Sequence, residues 1–431
     1  MNGTLPAACI AAFVLAATAC PPRAGTAAGA DVVVTTVDFA ADAGLASSGA
    51  GPQLLAVDAR RGRLIAANTA SSSISIIDCL SRGVDVIPIA GRSLQHLKAE
   101  ALAVRAKTGE IYLIGATCLS IVRPDDRSAK TIPTGVQFES IAVDEETGNV
   151  FLAGRESKEL GFYSAKTGKL ASVKWLATRE ELANLNATPP PPIRKVIAAP
   201  ALGRIVAVDG YTSTVYLFSG GDAKLVSSRT MKLTSGGRWH LAGYNDSTHR
   251  LYLVIETNDR RVIEAAKIDV TSGESVVVSL PEFTEGVGVR YNPAREEVYI
   301  PYDNHPSVHV VDFKAGGAVT EIALPAYGND ASAVDERGGI LYIGSWAHGE
   351  IDVIDLAARK LARRIENLGI IPHQFAMVFN PSDAALYYPK GATAVNGTFG
   401  ASPRNPSQST SGPGWTSRSG MGMRSPQSPS R

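Results

Sequence analysis

The sequence predicts an all-β fold, a β-propeller of four-stranded antiparallel blades, and three observations support this prediction. First, a strand, a polar turn and a second strand recur about eight times, at intervals of about 46 residues. Second, a third and a fourth short strand follow each such pair. Third, Gly is abundant with 41 residues and Trp is scarce with 4 residues, which suits thin strands joined by many tight turns. Four short antiparallel strands per repeat are typical of a propeller blade.

In most repeats a polar residue follows the first strand. Asp and Asn side chains cap their own turn, and Gly later in the turn accepts a positive φ. The residue that follows each first strand is Asp58, Arg105, Asp144, Pro200, Asn245, Asn292, Asp335 or Asn380.

The third strand of a repeat often ends in Asp. The distance from the first Asp or Asn to this second Asp is 20 residues in three repeats (58 to 78, 292 to 312 and 335 to 355). We interpret these third-strand residues as caps of the next turn. They are Asp78, Asp269, Asp312 and Asp355.

Two segments carry a resemblance to a known repeat family. The stretch from Ala333 to Gly344 and the stretch from Ile351 to Asp355 resemble the YVTN-type (YncE-like) β-propeller repeats of exported bacterial proteins. The resemblance covers roughly residues 50–390 and implies the fold, because the motif consists of strands and turns. The family includes binding and surface proteins, and relatives of lactonases and of quinoprotein or haem enzymes.

Closure of the ring explains the β-branched stretch from Asp31 to Phe39. A propeller whose ends are not joined leaves strand edges exposed. We therefore predict that this N-terminal strand closes the last blade as its outer strand, next to the C-terminal strands. The expected propeller spans residues 31–398 and has eight blades, or seven if one unit is degenerate.

The last repeat is incomplete. Its third strand is due near residues 395–402, where the chain becomes rich in Ser, Pro, Gly and Arg, and no Asp or Glu follows Asp383. Residues 401–431 are expected to be disordered, because they cannot pack a core. A native tail and a frameshift or truncation are both open explanations.

The first 20 residues predict an exported protein. Residues 7–19 form an apolar run that is too short for a membrane span and fits a secretory signal, although no Lys or Arg precedes it. The run ends before Cys20, so cleavage as a signal peptide and lipidation of Cys20 as a lipoprotein are alternatives. The expected location is the periplasm or the extracellular space, with a lipid anchor in the outer membrane as an option.

The remaining cysteines, Cys79 and Cys118, are expected to be separate thiols rather than a disulfide.

Charge composition restricts the partners. The chain has 42 basic and 41 acidic residues and a net charge of +1. This balance is not that of a polybasic surface, so we expect no nucleic acid partner and no membrane contact beyond a lipid anchor. We expect a monomer that binds a protein or a small molecule.

The candidate site is the mouth of the central funnel. Polar residues recur four positions before the end of the first strand, on strands that are otherwise apolar, and pseudosymmetry should bring them into a ring. Acids in such a ring, above all Glu139 and Asp330, could hold Ca²⁺, and His240 or His373 could act as a general base. Strand mouths are also wet, so polar residues there are expected without any ligand. The ligand-binding candidates are Gln53, Glu100, Glu139, Lys195, His240, Asp330 and His373.

Other histidines are weaker candidates. His305 and His309 are four residues apart near a third strand, a spacing of about 13 Å along a strand, which is too far for one metal. His348 lies in a loop beside Trp346 and is interpreted as part of an aromatic cover over blade edges.

Several catalytic motifs are absent from the sequence. It contains no Cys-x-x-Cys-His, no Gly-x-Ser-x-Gly, no His-Glu-x-x-His and no phosphate-binding loop. The sequence therefore favours a non-catalytic binding propeller without a required cofactor. The alternative is a metal-assisted lactonase or lyase that uses funnel-mouth acids and a histidine.

Overall fold

The described part of the chain consists almost entirely of β-strands. In the computed structural model these strands are joined by short turns and by one 3₁₀ turn, Pro200–Leu202. No described helix is long and apolar enough to cross a membrane. The structure describes residues 12–18, 32–38, 52–68, 71–81, 83–89, 101–115, 117–154, 159–174, 194–210, 213–231, 237–257, 263–280, 288–345, 348–366 and 377–390. The predicted tail at 401–431 lies outside these residues.

Seven sheets each contain four consecutive antiparallel strands, and we number these blades 1 to 7 in chain order. With the closing blade described next, the described strands form eight four-stranded sheets. Blades 1 to 4 are β3 (Pro52–Asp58), β4 (Arg63–Asn68), β5 (Ser73–Asp78), β6 (Val84–Pro88); β7 (Leu102–Val104), β8 (Ile111–Ile114), β9 (Cys118–Arg123), β10 (Ser128–Pro133); β11 (Ser140–Val143), β12 (Val150–Ala153), β13 (Glu159–Ser164), β14 (Lys169–Lys174); and β15 (Arg194–Ala199), β16 (Arg204–Asp209), β17 (Thr214–Ser219), β18 (Leu225–Thr230). Blades 5 to 7 are β19 (Gly237–Asn245), β20 (Arg250–Thr257), β21 (Ile263–Asp269), β22 (Ser275–Leu280); β23 (Arg290–Asn292), β24 (Glu297–Pro301), β25 (Ser307–Asp312), β26 (Ala318–Ala323); and β27 (Asn329–Asp335), β28 (Ile340–Ser345), β29 (Glu350–Asp355), β30 (Lys360–Ile365).

One further sheet, the closing blade, combines strands from both ends of the chain. Its order is β2 (Val32–Asp38), β1 (Ala12–Thr18), β32 (Ala385–Lys390) and β31 (Val378–Asn380). The N-terminal strand β2 is the outer strand, as the sequence predicted. Its neighbour is β1 and not a C-terminal strand, so that part of the prediction was wrong. The third position, expected near residues 395–402, is filled by β1.

The first strand of every sheet lies on the inside of a ring. Contacts join β3 to β7, β7 to β11, and onward through β15, β19, β23 and β27 to β31, which contacts β3 again. This cyclic order defines a central axis and confirms the predicted all-β propeller with four-stranded antiparallel blades.

The core lies between neighbouring sheets. All residues of Ile111–Ile114 and of Val150–Ala153 are buried, although strand side chains alternate between two faces. Both faces are covered, because one apolar cluster joins residues of blades 1, 2 and 3. A strand buried on both faces has a continuous apolar sequence, and this is why the second strands were easy to locate in the sequence.

The predicted turn caps are present. Asp78 Oδ1 accepts hydrogen bonds from the backbone N–H of Leu80 at 3.1 Å and of Ser81 at 2.7 Å. Asp355 Oδ1 accepts from the N–H groups of Ala357 at 2.8 Å and Ala358 at 2.9 Å. Asp269 and Asp312 bond the N–H groups of their own turns in the same way.

The turns between first and second strands form one face of the ring, which we call the turn face, and they bond to the next blade. Arg105 of blade 2 donates to the carbonyl oxygens of Glu145 at 2.9 and 3.0 Å and of Glu146 at 2.8 Å in blade 3. In return, the Glu145 carboxylate accepts from the backbone N–H of Ala106 at 2.9 Å and Lys107 at 3.1 Å. These reciprocal bonds fix the spacing between the two blades.

The closing blade is tied to blade 1 on the same face. Ser382 Oγ donates to the carbonyl of Ala59 at 2.9 Å, and Asn380 Nδ2 donates to Cys79 Sγ at 3.4 Å.

Burial raises the pKa of the Cys79 thiol to about 11, so this thiol is protonated at neutral pH. Cys79 and Cys118 are both free thiols, which confirms that prediction.

Glu297 holds blade 6 against blade 7. The residue is 2% exposed, and its carboxylate accepts from Arg359 of blade 7 at 2.7 Å, from Arg295 at 2.8 Å and from the Tyr299 hydroxyl at 2.6 Å. A buried carboxylate with three donors is well compensated, whereas removal of the acid takes the shortest acceptor from each of two guanidinium groups.

Replacement of Glu297 should destabilise the propeller. We expect Glu297→Ala to lower the free energy of unfolding by about 3 kcal/mol, because it breaks a largely buried ion-pair network. The control is Glu274→Ala, at an exposed turn position, which should change stability by less than about 0.5 kcal/mol. Urea denaturation followed by circular dichroism measures both. Equal midpoints for the two variants would contradict the assigned role of Glu297.

Candidate functional site

The predicted funnel-mouth residues lie at the ends of inner strands where the chain enters each blade, and we call this side the entrance face. Glu139 directly precedes β11, Lys195 lies in β15 and His240 lies in β19. Gln53 and Asp330 lie in the inner strands β3 and β27, where the backbone is described. Glu100 and His373 lie outside the described residues.

Glu139 and Lys195 lie next to the contact between the inner strands β11 and β15. Ser140 Oγ accepts a hydrogen bond from the Val196 N–H at 3.0 Å and donates to the Val196 carbonyl at 3.3 Å. Each candidate is the residue immediately before this contact. Glu139 is 9% exposed and Lys195 is 8% exposed, so both charged groups are largely shielded from water.

His240 extends this group to a third neighbouring strand, since β19 contacts β15. His240 Nε2 lies 3.8 Å from Glu256 Oε2, and the two side chains are 13% and 6% exposed. This distance is too long for a good hydrogen bond but permits an ion pair when the imidazole is protonated.

The histidine–glutamate pair faces the next blade. His240 pairs across the sheet with Val254, and Glu256 is two residues further on the same face of β20. Val254 packs in one apolar cluster with Val289 and Tyr302 of blade 6. Sequence reasoning missed Glu256. An acid at the end of an otherwise apolar second strand, Leu251 to Ile255, is the signal that could have shown it.

The two proposed metal ligands lie far apart in the ring. Glu139 precedes β11 and Asp330 lies in β27, and four steps in either direction separate these strands in the cyclic order. An ion shared by both would have to lie at the central axis. Among the described residues, no group of three or more His, Cys, Asp or Glu side chains is arranged to hold a metal. The Ca²⁺ site stays a prediction.

His305 and His309 have different hydrogen-bond partners. His309 Nδ1 lies 2.8 Å from the Tyr302 hydroxyl and is 1% exposed, whereas His305 Nδ1 lies 2.9 Å from Ser307 Oγ. Burial lowers the pKa of His309, and the nearby His305 acts in the same direction while Glu321 opposes it. His309 is therefore mainly neutral at pH 7.

His348 belongs to a contact between two segments of the entrance face. Its ring stands edge-on to Tyr327 with a centroid distance of 5.3 Å. Ser345 Oγ lies 3.1 Å from His348 Nδ1 and donates to the Tyr327 carbonyl at 2.8 Å. The aromatic partner of His348 among the described residues is thus Tyr327. Trp346, which the sequence suggested, lies outside them.

The lowered pKa of His309 predicts a pH-dependent stability. The unfolded chain binds a proton near pH 6.5 and the folded chain only at lower pH, so stability is complete above pH 6.5 and falls below it. This single group accounts for at most about 1.4 kcal/mol per pH unit. The His309→Asn variant keeps an acceptor for Tyr302 but does not titrate, so its unfolding free energy should fall less between pH 7 and pH 5. An unfolding free energy that falls with pH as steeply as that of the original chain would contradict the lowered pKa assigned to His309.

Comparisons with known proteins support the fold and do not identify a family. No protein-family model matches the chain, and no curated protein matches it significantly. Among solved structures, the chain is similar to the dihydro-heme d1 dehydrogenase NirN in complex with DHE, with a TM-score of 0.58, 15% identity, and coverage of 80% of this chain and 71% of that chain. It is also similar to the Cps50 (Swd1) β-propeller domain of Myceliophteria thermophila, with a TM-score of 0.54, 9% identity, and coverage of 71% and 98%. Hydrazine synthase of Kuenenia stuttgartiensis has a TM-score of 0.49, 15% identity, and coverage of 69% and 94%.

These identities are low, so the likeness shows the fold alone. The chain is a β-propeller with four-stranded antiparallel blades, and its resemblance to YVTN-type repeats stays a sequence-based prediction.

Proposed function

We propose that this protein is a non-catalytic binding propeller that holds a protein segment or a small molecule at its entrance face. The observation that carries the proposal is that Glu139, Lys195 and His240 lie at the entrance ends of three successive inner strands, and that Glu256 of the second strand β20 lies 3.8 Å from His240. Acidic, basic and imidazole groups thus occur at one mouth of the ring, on strands that are otherwise largely apolar.

The burial of these groups is the physical argument. Charged side chains are rarely buried unless they have partners, because loss of hydration is costly. Replacement of buried charged groups by apolar residues of similar volume is often neutral or stabilising, so stability alone does not require them here. Carboxylate, ammonium and imidazole groups at one mouth of the ring suit a ligand that carries both a negative group and hydrogen-bond donors. No cofactor is required for such binding.

A binding experiment with matched variants tests the proposal. The entrance-face variant carries Glu139→Gln, Lys195→Met and His240→Asn, which remove the charges and keep the side-chain sizes. The control variant carries Lys107→Met and Glu146→Gln, an exposed ion pair of 2.7 Å on the turn face. Each protein is immobilised and exposed to a cell-envelope extract, and the retained proteins and small molecules are identified by mass spectrometry.

We expect the original chain and the turn-face variant to retain the same species. The amount that the entrance-face variant retains should be at least tenfold lower, since the loss of a buried charge partner costs about 1.5 to 3 kcal/mol per interaction. Identical retention by all three proteins would refute a ligand site at this mouth.

The second candidate function is metal-assisted lactone opening or elimination, and the His240–Glu256 geometry is the observation in its favour. A carboxylate that orients an imidazole is a common arrangement for a general base. Elemental analysis and lactone turnover of Glu139→Ala and His240→Ala distinguish the two functions. Stoichiometric Ca²⁺ or Zn²⁺ that is lost in these variants, together with lost turnover, would support the enzyme. A visible absorption band in the purified protein would instead indicate a bound cofactor.

We also propose export through residues 1–20, with Cys20 as the first mature residue and a site for lipidation. The proposal has a structural consequence, because cleavage before Cys20 would remove β1 from the closing blade. The intact mass of protein from the cell envelope should therefore begin at Cys20, with or without added lipid. A mass that includes residues 12–18 would contradict cleavage and leave β1 as a permanent strand of the ring.

A further inference from the structure

Each sheet of the propeller ends in an outer strand that has no further described strand beside it. These outer strands are β6, β10, β14, β18, β22, β26, β30 and β2. An outer strand offers free backbone N–H and C=O groups, and proteins usually protect it from other chains with charged side chains or proline.

Within its described outer strand, blade 5 lacks this protection, and the outer strands of blades 1 to 4, 6 and 7 have it. Its outer strand β22 is Ser-Val-Val-Val-Ser-Leu, without a charged residue or proline, and Val276 is 42% exposed. The outer strands of the other six consecutive blades each contain at least one protecting residue. These residues include Asp85 in β6, Lys130 in β10, Lys169 in β14, Arg229 in β18, Glu321 in β26 and Lys360 in β30.

The sequence of β22 is also self-complementary. Residues 275–279 read Ser-Val-Val-Val-Ser in both directions. Two antiparallel copies related by a two-fold axis at Val277 would place Val276 opposite the partner subunit's Val278. Ser275 would lie opposite the partner subunit's Ser279. Cross-strand pairs of β-branched residues stabilise antiparallel strands, and a two-fold interface requires this kind of self-complementary surface.

We propose that two copies of this chain associate edge to edge through β22, so that blade 5 of each copy joins a continuous eight-stranded sheet. A single strand pair buries less surface than the roughly 1,200 Å² of a stable specific interface. The dimer is therefore weak and depends on concentration. This inference replaces the monomer expected from the sequence, and it does not depend on the ligand proposed for the entrance face.

Sedimentation velocity of the full chain tests the dimer, from about 1 to about 100 µM, a range that covers weak association. The test variant is Val276→Lys. The control is Val319→Lys, which changes a valine of similar exposure, 39%, in the outer strand of blade 6, where Glu321 is already present. We expect a dimer whose dissociation constant rises at least tenfold in Val276→Lys and less than twofold in Val319→Lys. Circular dichroism and urea midpoints establish that both variants are folded.

A second measurement needs no substitution. Hydrogen exchange of the original chain should slow in β22 as the protein concentration rises, while exchange in β26 should not change. A monomer over the whole concentration range, equal effects of the two lysine variants, or exchange in β22 that does not depend on concentration would each overturn the proposal.

Discussion

Closure of the ring is the constraint on which the rest of this structure depends. A four-stranded sheet of this kind has two apolar faces, and only a neighbour on each side can bury both. The contact of β31 with β3 completes the cycle, so that no sheet is left with an open face. The closing blade draws strands from both ends of the chain for the same reason. Bonds such as Ser382 Oγ to the Ala59 carbonyl hold the closing blade against blade 1.

Features of this fold that depend on local sequence could be predicted, and features that depend on contacts between blades could not. Asp78 and Asp355 cap turns within three residues of themselves, so the repeat alone revealed their role. The partners Glu297 and Arg359 are 62 residues apart and meet only when blades 6 and 7 pack. The stretch Ala12–Thr18 shows that local sequence can also be ambiguous, because an apolar run satisfies the pattern of a secretory signal and of a buried strand equally well.

The two faces of the ring divide the charged residues between two tasks. On the turn face, Arg105, Glu145 and Glu296 bond groups of the neighbouring blade and so fix the distance between sheets. On the entrance face, Glu139, Lys195 and His240 occupy equivalent positions of successive blades, where pseudosymmetry allowed their location to be predicted by counting back from the strand end. The count could not show that Glu256 joins His240, because Glu256 belongs to the second strand and has no equivalent in the repeat.

Blade 5 connects the two surfaces proposed for this protein. Its inner strand β19 carries His240 at the mouth of the ring, and its outer strand β22 carries the unprotected edge, three strand spacings or about 14 Å away. A dimer formed along the rim leaves the mouths of both rings uncovered, because the edge and the axis are different parts of the sheet. Two sites in one particle bind a multivalent partner more tightly than either site alone, without any new contact at the site. The proposed dimer would thus give a use to the absence of charge from β22, since the outer strands of the other six consecutive blades each contain a charged residue.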